Sequence, residues 1–254
     1  IGDGPISNTM ILMENNGVLL SRINLGAETL DAISQWSDYD NTPYIILSSL
    51  KCSAARSRFD LAHELAHLTF HKKITKNICH NIIEHPIIEQ QAHKFASAFL
   101  FPSRSFMDSL SSPTLDCFYA LKEKWRMSIA AMIMKCRHLG IIEENYERTL
   151  WMNYNRRGWA KHEPLDDKLQ IEQPKLLPRS FELLINEKLI TRENIPIQLP
   201  YPVSELEELT NLPNGFLSNI NNVEYLPTLR TESRTREQIN NKETKVVNFP
   251  NRNK

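Results

Sequence analysis

Three residues able to do metal chemistry stand together in this chain: His63, Glu64 and His67, in the run His63-Glu64-Leu65-Ala66-His67. The spacing is H-E-x-x-H. Residues 56–71 around it read as helix, with Phe59, Leu61, Ala62, Leu65, Ala66 and Leu68 apolar and no Gly or Pro to interrupt. On a helix, residues four apart lie about 40° from one another around the axis, one turn up. His63 and His67 can therefore aim both imidazoles at one point, about 2 Å from a zinc ion (Zn2+). Glu64, on a neighbouring part of that face, is placed to take a proton from an attacking water. Chance matches to so short a pattern fall mostly on charged surface helices, whereas this one lies in an apolar helix.

A two-His site needs a third protein ligand. His71 sits two turns, about 12 Å, beyond His63, too far for one ion to reach both along with His67. The longer metzincin pattern fails at Phe70 and Lys73. The next helical stretch, residues 86–102, carries an apolar stripe (Ile88, Ala92, Phe95, Ala96, Phe99, Leu100) and ends at Pro102. Glu89 lies beside that stripe, where a carboxylate is costly unless paired or bound to metal. It would complete a His2Glu set with the fourth position open. The competing assignment for Glu89 is a solvated acid favoured by the helix N-terminus. Glu84, expected in a loop before Pro86, is the second candidate ligand. His93 follows Glu89 by four residues on the same face.

Across these two stretches the chain resembles the ImmA/IrrE family of bacterial metallopeptidases. The matching residues are Arg56-Ser-Arg58-Phe59-x-Leu61-Ala62-His63-Glu64-Leu65-x-His67, His71, and Glu89-x-x-Ala92-x-x-Phe95-Ala96-x-x-x-Leu100-x-Pro102. Ala66 stands where the family usually has Gly, and His93 where it has Asn or Asp. The resemblance covers about residues 1 to 160. It implies His63, His67 and Glu89 as zinc ligands and Glu64 as catalytic base, the same set the spacing points to. His71 and His93 are candidates for orienting those ligands from behind. It also implies a protein substrate, commonly a helix-turn-helix repressor, in a bacterial or prophage regulatory circuit. Many relatives carry a repressor-like DNA-binding domain before the peptidase, and the first residue here is Ile1, so a preceding segment is expected in the natural chain.

The expected fold class is α+β: a small zincin-like metallopeptidase domain over residues 1–102, a helical, helix-turn-helix-like segment over 103–163, a C-terminal helical unit over 164–218 and a flexible tail over 219–254. A helix beginning at Pro5 and stopped by Gly17, strands over 18–23 and 43–47, and a weaker strand over 32–36 precede the motif helix. Further helices are read over 115–125, 129–139, 174–189 and 203–212, with Ser128 as a cap and Gly140 as a stop. The tail is rich in Asn, Thr, Glu, Arg and Lys, with Val246, Val247 and Phe249 as a short docking strand.

The 254 residues balance 30 Lys and Arg against 30 Asp and Glu, so no global field draws the chain to nucleic acid or membrane. No run of apolar residues is long enough to span a bilayer, and cytoplasmic localisation is expected. Cys52, Cys79, Cys117 and Cys136 have no short paired spacing, so neither a zinc knuckle nor a redox motif is implied. Lys122, Lys124, Arg126, Lys135 and Arg137 form a basic rim on the middle segment that is a candidate for weak nucleic-acid contact. Packing against the peptidase is the favoured role for that segment, because few polar residues remain free to read bases. Arg56 and Arg58 are expected to order the strand-to-helix junction. Trp151, Arg156, Arg157 and Trp159 read as an anchoring linker. The functional expectation is a zinc-dependent endopeptidase. The alternative is a DNA-binding regulator or sensor that keeps the zincin fold without proteolysis.

Overall fold

Asn8 begins the first helix: its backbone is extended (φ −147°) and its side chain accepts a hydrogen bond from Ile11 N at 2.8 Å. In this computed structural model, which describes residues 2–27, 30–50, 53–72 and 84–218, helix α1 spans Thr9–Glu14. The expected start at Pro5 is therefore corrected to Thr9, because Asn8 carries the oxygen that caps the first turn. Gly17 closes the turn after α1 at φ +87°, a left-handed position that glycine takes without strain.

Strands β1 (Leu19–Ile23), β2 (Ala32–Trp36) and β3 (Pro43–Ser48) form one sheet in the order β1-β3-β2. β1 runs parallel to β3, with Leu20 opposite Ile45, and β2 runs antiparallel to it, with Ser34 opposite Ile45. β2 is thus an edge strand among the described residues. Its side chains alternate, so Ala32, Ser34 and Trp36 are half-buried while Ile33 is exposed.

Helix α2 (Ala54–Phe70) carries the motif and is capped by Ser53, whose hydroxyl accepts from Arg56 N at 3.4 Å. It buries Ala54, Ala55, Leu61, Ala62, Ala66 and Leu68, which leaves His63, Glu64 and His67 half-buried on its other side. Ala66 is fully buried, so the methyl group that replaces the family's glycine is accommodated. Helix α3 (Glu84–Leu100) packs along α2 through Ala92, Ala96 and Leu100. Pro86 lies inside its first turn, where no backbone N–H is needed. Glu84 is consequently the first residue of the helix and not in a loop.

Helices α4 (Ser103–Ser109), α5 (Leu115–Trp125), α6 (Ile129–His138) and α7 (Glu144–Arg156) follow. They share one core cluster that includes Leu100, Phe101, Phe106, Phe118, Trp125, Ile129, Met132 and Ile133. Ser128 caps α6 as expected, accepting from Ala131 N at 3.1 Å, and Gly140 (φ +68°) follows its end. Trp151 and Arg156, read as part of an anchoring linker over 150–164, lie in helix α7.

Helices α8 (Leu176–Asn186), α9 (Asn194–Gln198) and α10 (Val203–Thr210) come last. The end of α10 covers the backbone of β1: Ser21 Oγ donates to Leu209 O at 2.6 Å, Arg22 N to Asn211 Oδ1 at 3.1 Å, and Asn211 Nδ2 to Arg22 O at 2.9 Å. These bonds satisfy what would otherwise be an open strand edge. Glu172 accepts from Thr9 N and Met10 N at 2.9 and 3.1 Å and pairs with the buried Arg58 of α2. In return Glu14 accepts from Lys175 N and Leu176 N, both at 2.8 Å. The expected segments 1–102, 103–163 and 164–218 accordingly lie within one compact unit, Ile1–Asn219. The expected tail, with Val246, Val247 and Phe249, falls outside the described residues. No helix among the described residues is long and apolar enough to cross a membrane.

Candidate metal centre and its cleft

The i, i+4 spacing on α2 brings His63 Nε2 and His67 Nε2 to 3.0 Å from each other. Glu89 reaches across from α3, with Oε2 3.1 Å from His63 Nε2 and Oε1 3.6 Å from His67 Nε2. Donors held about 2.0–2.1 Å from one ion at tetrahedral angles stand about 3.3–3.4 Å apart. The three observed separations bracket that value. Two imidazoles and a carboxylate are also the donor types a zinc ion takes in open, three-ligand sites.

His93 adds a fourth donor. Its Nδ1 is 2.8 Å from the backbone oxygen of Glu89, to which it donates, so Nε2 keeps the free lone pair. Its ring sits edge-on to His63, centroids 4.6 Å apart. His63, Glu89 and His93 each offer a ligand atom within 4.8 Å of the others. Two triads thus share His63 and Glu89, one completed by His67 and the other by His93. The tighter spacing favours His67.

Protonation suits metal binding. Burial first, and then the charge of His63, pushes His67 down to about 4; burial also lowers His63, against the pull of Glu89. Both rings are neutral at physiological pH, as ligation requires. His71 Nε2 lies 3.1 Å from Gln91 Oε1, which accepts, so Nδ1 is the ring nitrogen of His71 left to accept. That nitrogen is 2.9 Å from His67 Nδ1. The chain of bonds puts the proton of His67 on Nδ1 and leaves Nε2 bare toward Glu89.

Glu64 is held above the ordinary carboxylate range by burial, with Glu89 and Asp60 adding to the effect and a hydrogen bond from Ser34 opposing it. Ser34 comes from edge strand β2. A carboxylate raised in this way binds a proton more readily, which is what a group that both takes and returns one needs.

The centre opens into a cleft of about 1220 Å³. Asp31 and Ala32 at the start of β2 line it, together with His63, Glu64, Glu89 and His93. Met127, Ala130, Ala131 and Met134 on and before α6 also line it. Arg56 lines it too but is paired with Asp31 at 2.8 Å, while Arg58 is buried beneath, on Glu172 and the Ile6 carbonyl.

The basic rim expected on the middle segment is largely used within the fold. Lys122 is fully buried, with Nζ donating to Glu163 Oε2 at 2.7 Å and Asp166 Oδ1 at 2.6 Å, and Lys135 is 8% exposed. The assignment of Lys122 as a phosphate contact is corrected, because helix packing encloses its ammonium between two carboxylates, whereas Lys135 lines the cleft beside the centre. Lys124 donates to Ser109 Oγ at 3.0 Å, Arg126 to Ser7 O at 3.1 Å, and Arg137 pairs with Glu147 at 3.2 Å. Trp159 packs against the core cluster with the Arg157 guanidinium 4.9 Å from its ring, as an anchor would.

Sequence reasoning missed Ser34, Gln91 and the α6 wall. Strand alternation carried a signal for Ser34, which shares a face with Ala32 and Trp36; Gln91 had none without the helix pairing.

A motif helix and a second helix packed beside a small sheet, with a histidine and carboxylate cluster between them, make up the α+β architecture of a zincin-like metallopeptidase domain. Residues 13–137 match the Peptidase_M78 family model, described as the IrrE N-terminal-like domain, and that span is such a domain of this metallopeptidase family. No curated protein matches the chain. Among solved structures, a Mycobacterium tuberculosis transcriptional regulator is similar at 13% identity and a TM-score of 0.36, over 49% of this chain and 38% of that one. A likeness that low bears on neither activity nor partner.

Proposed function

We propose that this chain is a zinc-dependent endopeptidase that cuts a regulatory protein, a helix-turn-helix repressor in a bacterial or prophage circuit. The observation that carries the reading is the position of Glu64. It directly follows His63, is half-buried beside the His63, His67 and Glu89 cluster, and lines the same cleft. A scaffold that only sensed would have no use for a base at that point.

His63, His67 and Glu89 would hold the zinc ion. When bound, zinc supplies Lewis acidity that polarises a peptide carbonyl and acidifies water. Glu64 takes the proton from the attacking water and returns it to the leaving amine. The cleft takes an extended stretch of chain rather than a small molecule, since its volume exceeds the usual range for small-ligand pockets, about 300–1,000 Å³. Ala32, the first residue of edge strand β2, lines it, so the strand's open edge begins at the cleft with backbone groups to offer.

The test is incubation of the zinc-loaded chain with the repressor encoded beside its gene. Cleavage that a chelator abolishes and added zinc restores supports the proposal. An intact repressor at high enzyme ratio, with zinc present, contradicts it.

A further inference from the structure

We propose that Lys135 anchors a carboxylate of the substrate chain, so that this site selects peptides carrying an acidic group at a set distance from the cut; the proposal rests on the peptidase reading above. Lys135 stands on α6 and lines the cleft that holds Glu64 and Glu89. Although only 8% exposed, it pairs with no carboxylate among the described residues. Its ammonium meets the ring of Phe101 at 6.0 Å, the outer limit of cation–π reach.

Buried ammonium groups are costly unless paired. Burial lowers the pKa of Lys135, and no nearby charge acts to raise it. Besides the distant Phe101 ring, its place in the last turn of α6 gives it the helix dipole as support. The contrast with Lys122 is informative. Lys122 is also buried, but it sits between Glu163 and Asp166 at 2.7 and 2.6 Å. Glu163 is further occupied by the backbone N–H groups of Ile129 and Ala130 and by the Tyr154 hydroxyl. The fold thus neutralises one buried lysine of this region and leaves the other facing the cleft. A carboxylate on the occupant of that cleft would complete it.

Two sources offer that carboxylate: an Asp or Glu side chain, or a free C-terminus. Pools of randomised peptides, one with free and one with amidated C-termini, are incubated with zinc-loaded wild type, Lys135→Met and Lys135→Arg, and the products sequenced. Wild type and Lys135→Arg should favour Asp or Glu at one fixed position in the amidated pool, or cut at a fixed distance from the end in the free-acid pool alone. Lys135→Met should lose that preference by about tenfold, the scale of one charge-assisted hydrogen bond. An unchanged preference in Lys135→Met overturns the anchor. If no protein cuts either pool, the peptidase reading is what has failed. The same pools are then passed over immobilised Glu64→Gln chain with and without Lys135→Met. Acidic peptides retained by the first and lost by the second support the anchor, and equal retention overturns it. Lys135→Gln replaces the Met variant if thermal melting shows that the latter does not fold.

Discussion

The Nδ1 atoms of His67 and His71 lie 2.9 Å apart, and the far nitrogen of His71 rests on Gln91 Oε1 at 3.1 Å. His71 is too far along α2 to share an ion with His63, yet it fixes which nitrogen of His67 is bare. Groups that orient a ligand in this way are worth roughly 10–100-fold in metal affinity. His71→Phe should therefore weaken zinc binding by about that factor in chelator competition, with the three ligands untouched. An affinity equal to wild type would mean that the ring of His67 is oriented by packing alone.

Glu89 and His93 differ in what their loss should do. Glu89→Ala removes the carboxylate that spans both α2 histidines, and elemental analysis should find zinc well below one per chain. His93→Asn leaves His63, His67 and Glu89 complete and should keep near-stoichiometric zinc. Loss of zinc in His93→Asn would put His93 into the ligand set.

The metal-free protein should weaken in mild acid. His67 is held down at about 4 from an ordinary 6.5, chiefly by burial. As pH falls below 6.5 the unfolded chain binds a proton that the folded chain refuses until about 4, so stability present above 6.5 is lost across that window. Urea unfolding of metal-free protein at about pH 7.5 and about pH 5 should show the lower midpoint at pH 5, with a smaller drop in His67→Asn. A midpoint that rises on acidification contradicts the sign.

Glu163 holds α5, α6 and α7 together through one carboxylate, which takes Lys122 Nζ, two N–H groups at the start of α6 and the Tyr154 hydroxyl. Its removal leaves the fully buried Lys122 with Asp166 alone. Breaking a buried pair of this kind costs about 3–5 kcal/mol. Glu163→Ala should lower the unfolding free energy by that order in denaturant titration. A loss under about 1 kcal/mol would show that Asp166 suffices.

What was readable in advance was local. His63 and His67 are one turn apart on a single helix, so their convergence follows from helical spacing alone. α5 and α6 announced themselves through apolar periodicity and a capping serine. What was unreadable depends on partners distant in sequence. Lys122 reads as a surface charge until Glu163 and Asp166, 41 and 44 residues on, fold over it. Glu172 gives no local sign that it will meet Thr9 N, 163 residues back. Helix α7 was missed because it buries few side chains, Leu150 and Tyr154 among them, and is otherwise polar. Period-based reading needs a long apolar stripe, and α7 offers only the short one of Leu150, Trp151 and Tyr154 near its C-terminal end.

The central claim is that Glu64 moves the proton in peptide hydrolysis, and its amide replacement tests this most directly. Gln is nearly isosteric with Glu and Glu64 is not counted among the ligands, so Glu64→Gln should keep zinc content, thermal melting and substrate binding. General acid–base help is worth roughly 10²–10⁴-fold, and cleavage of the repressor should slow by that factor. A zinc-loaded Glu64→Gln protein that cuts at the wild-type rate would contradict the account.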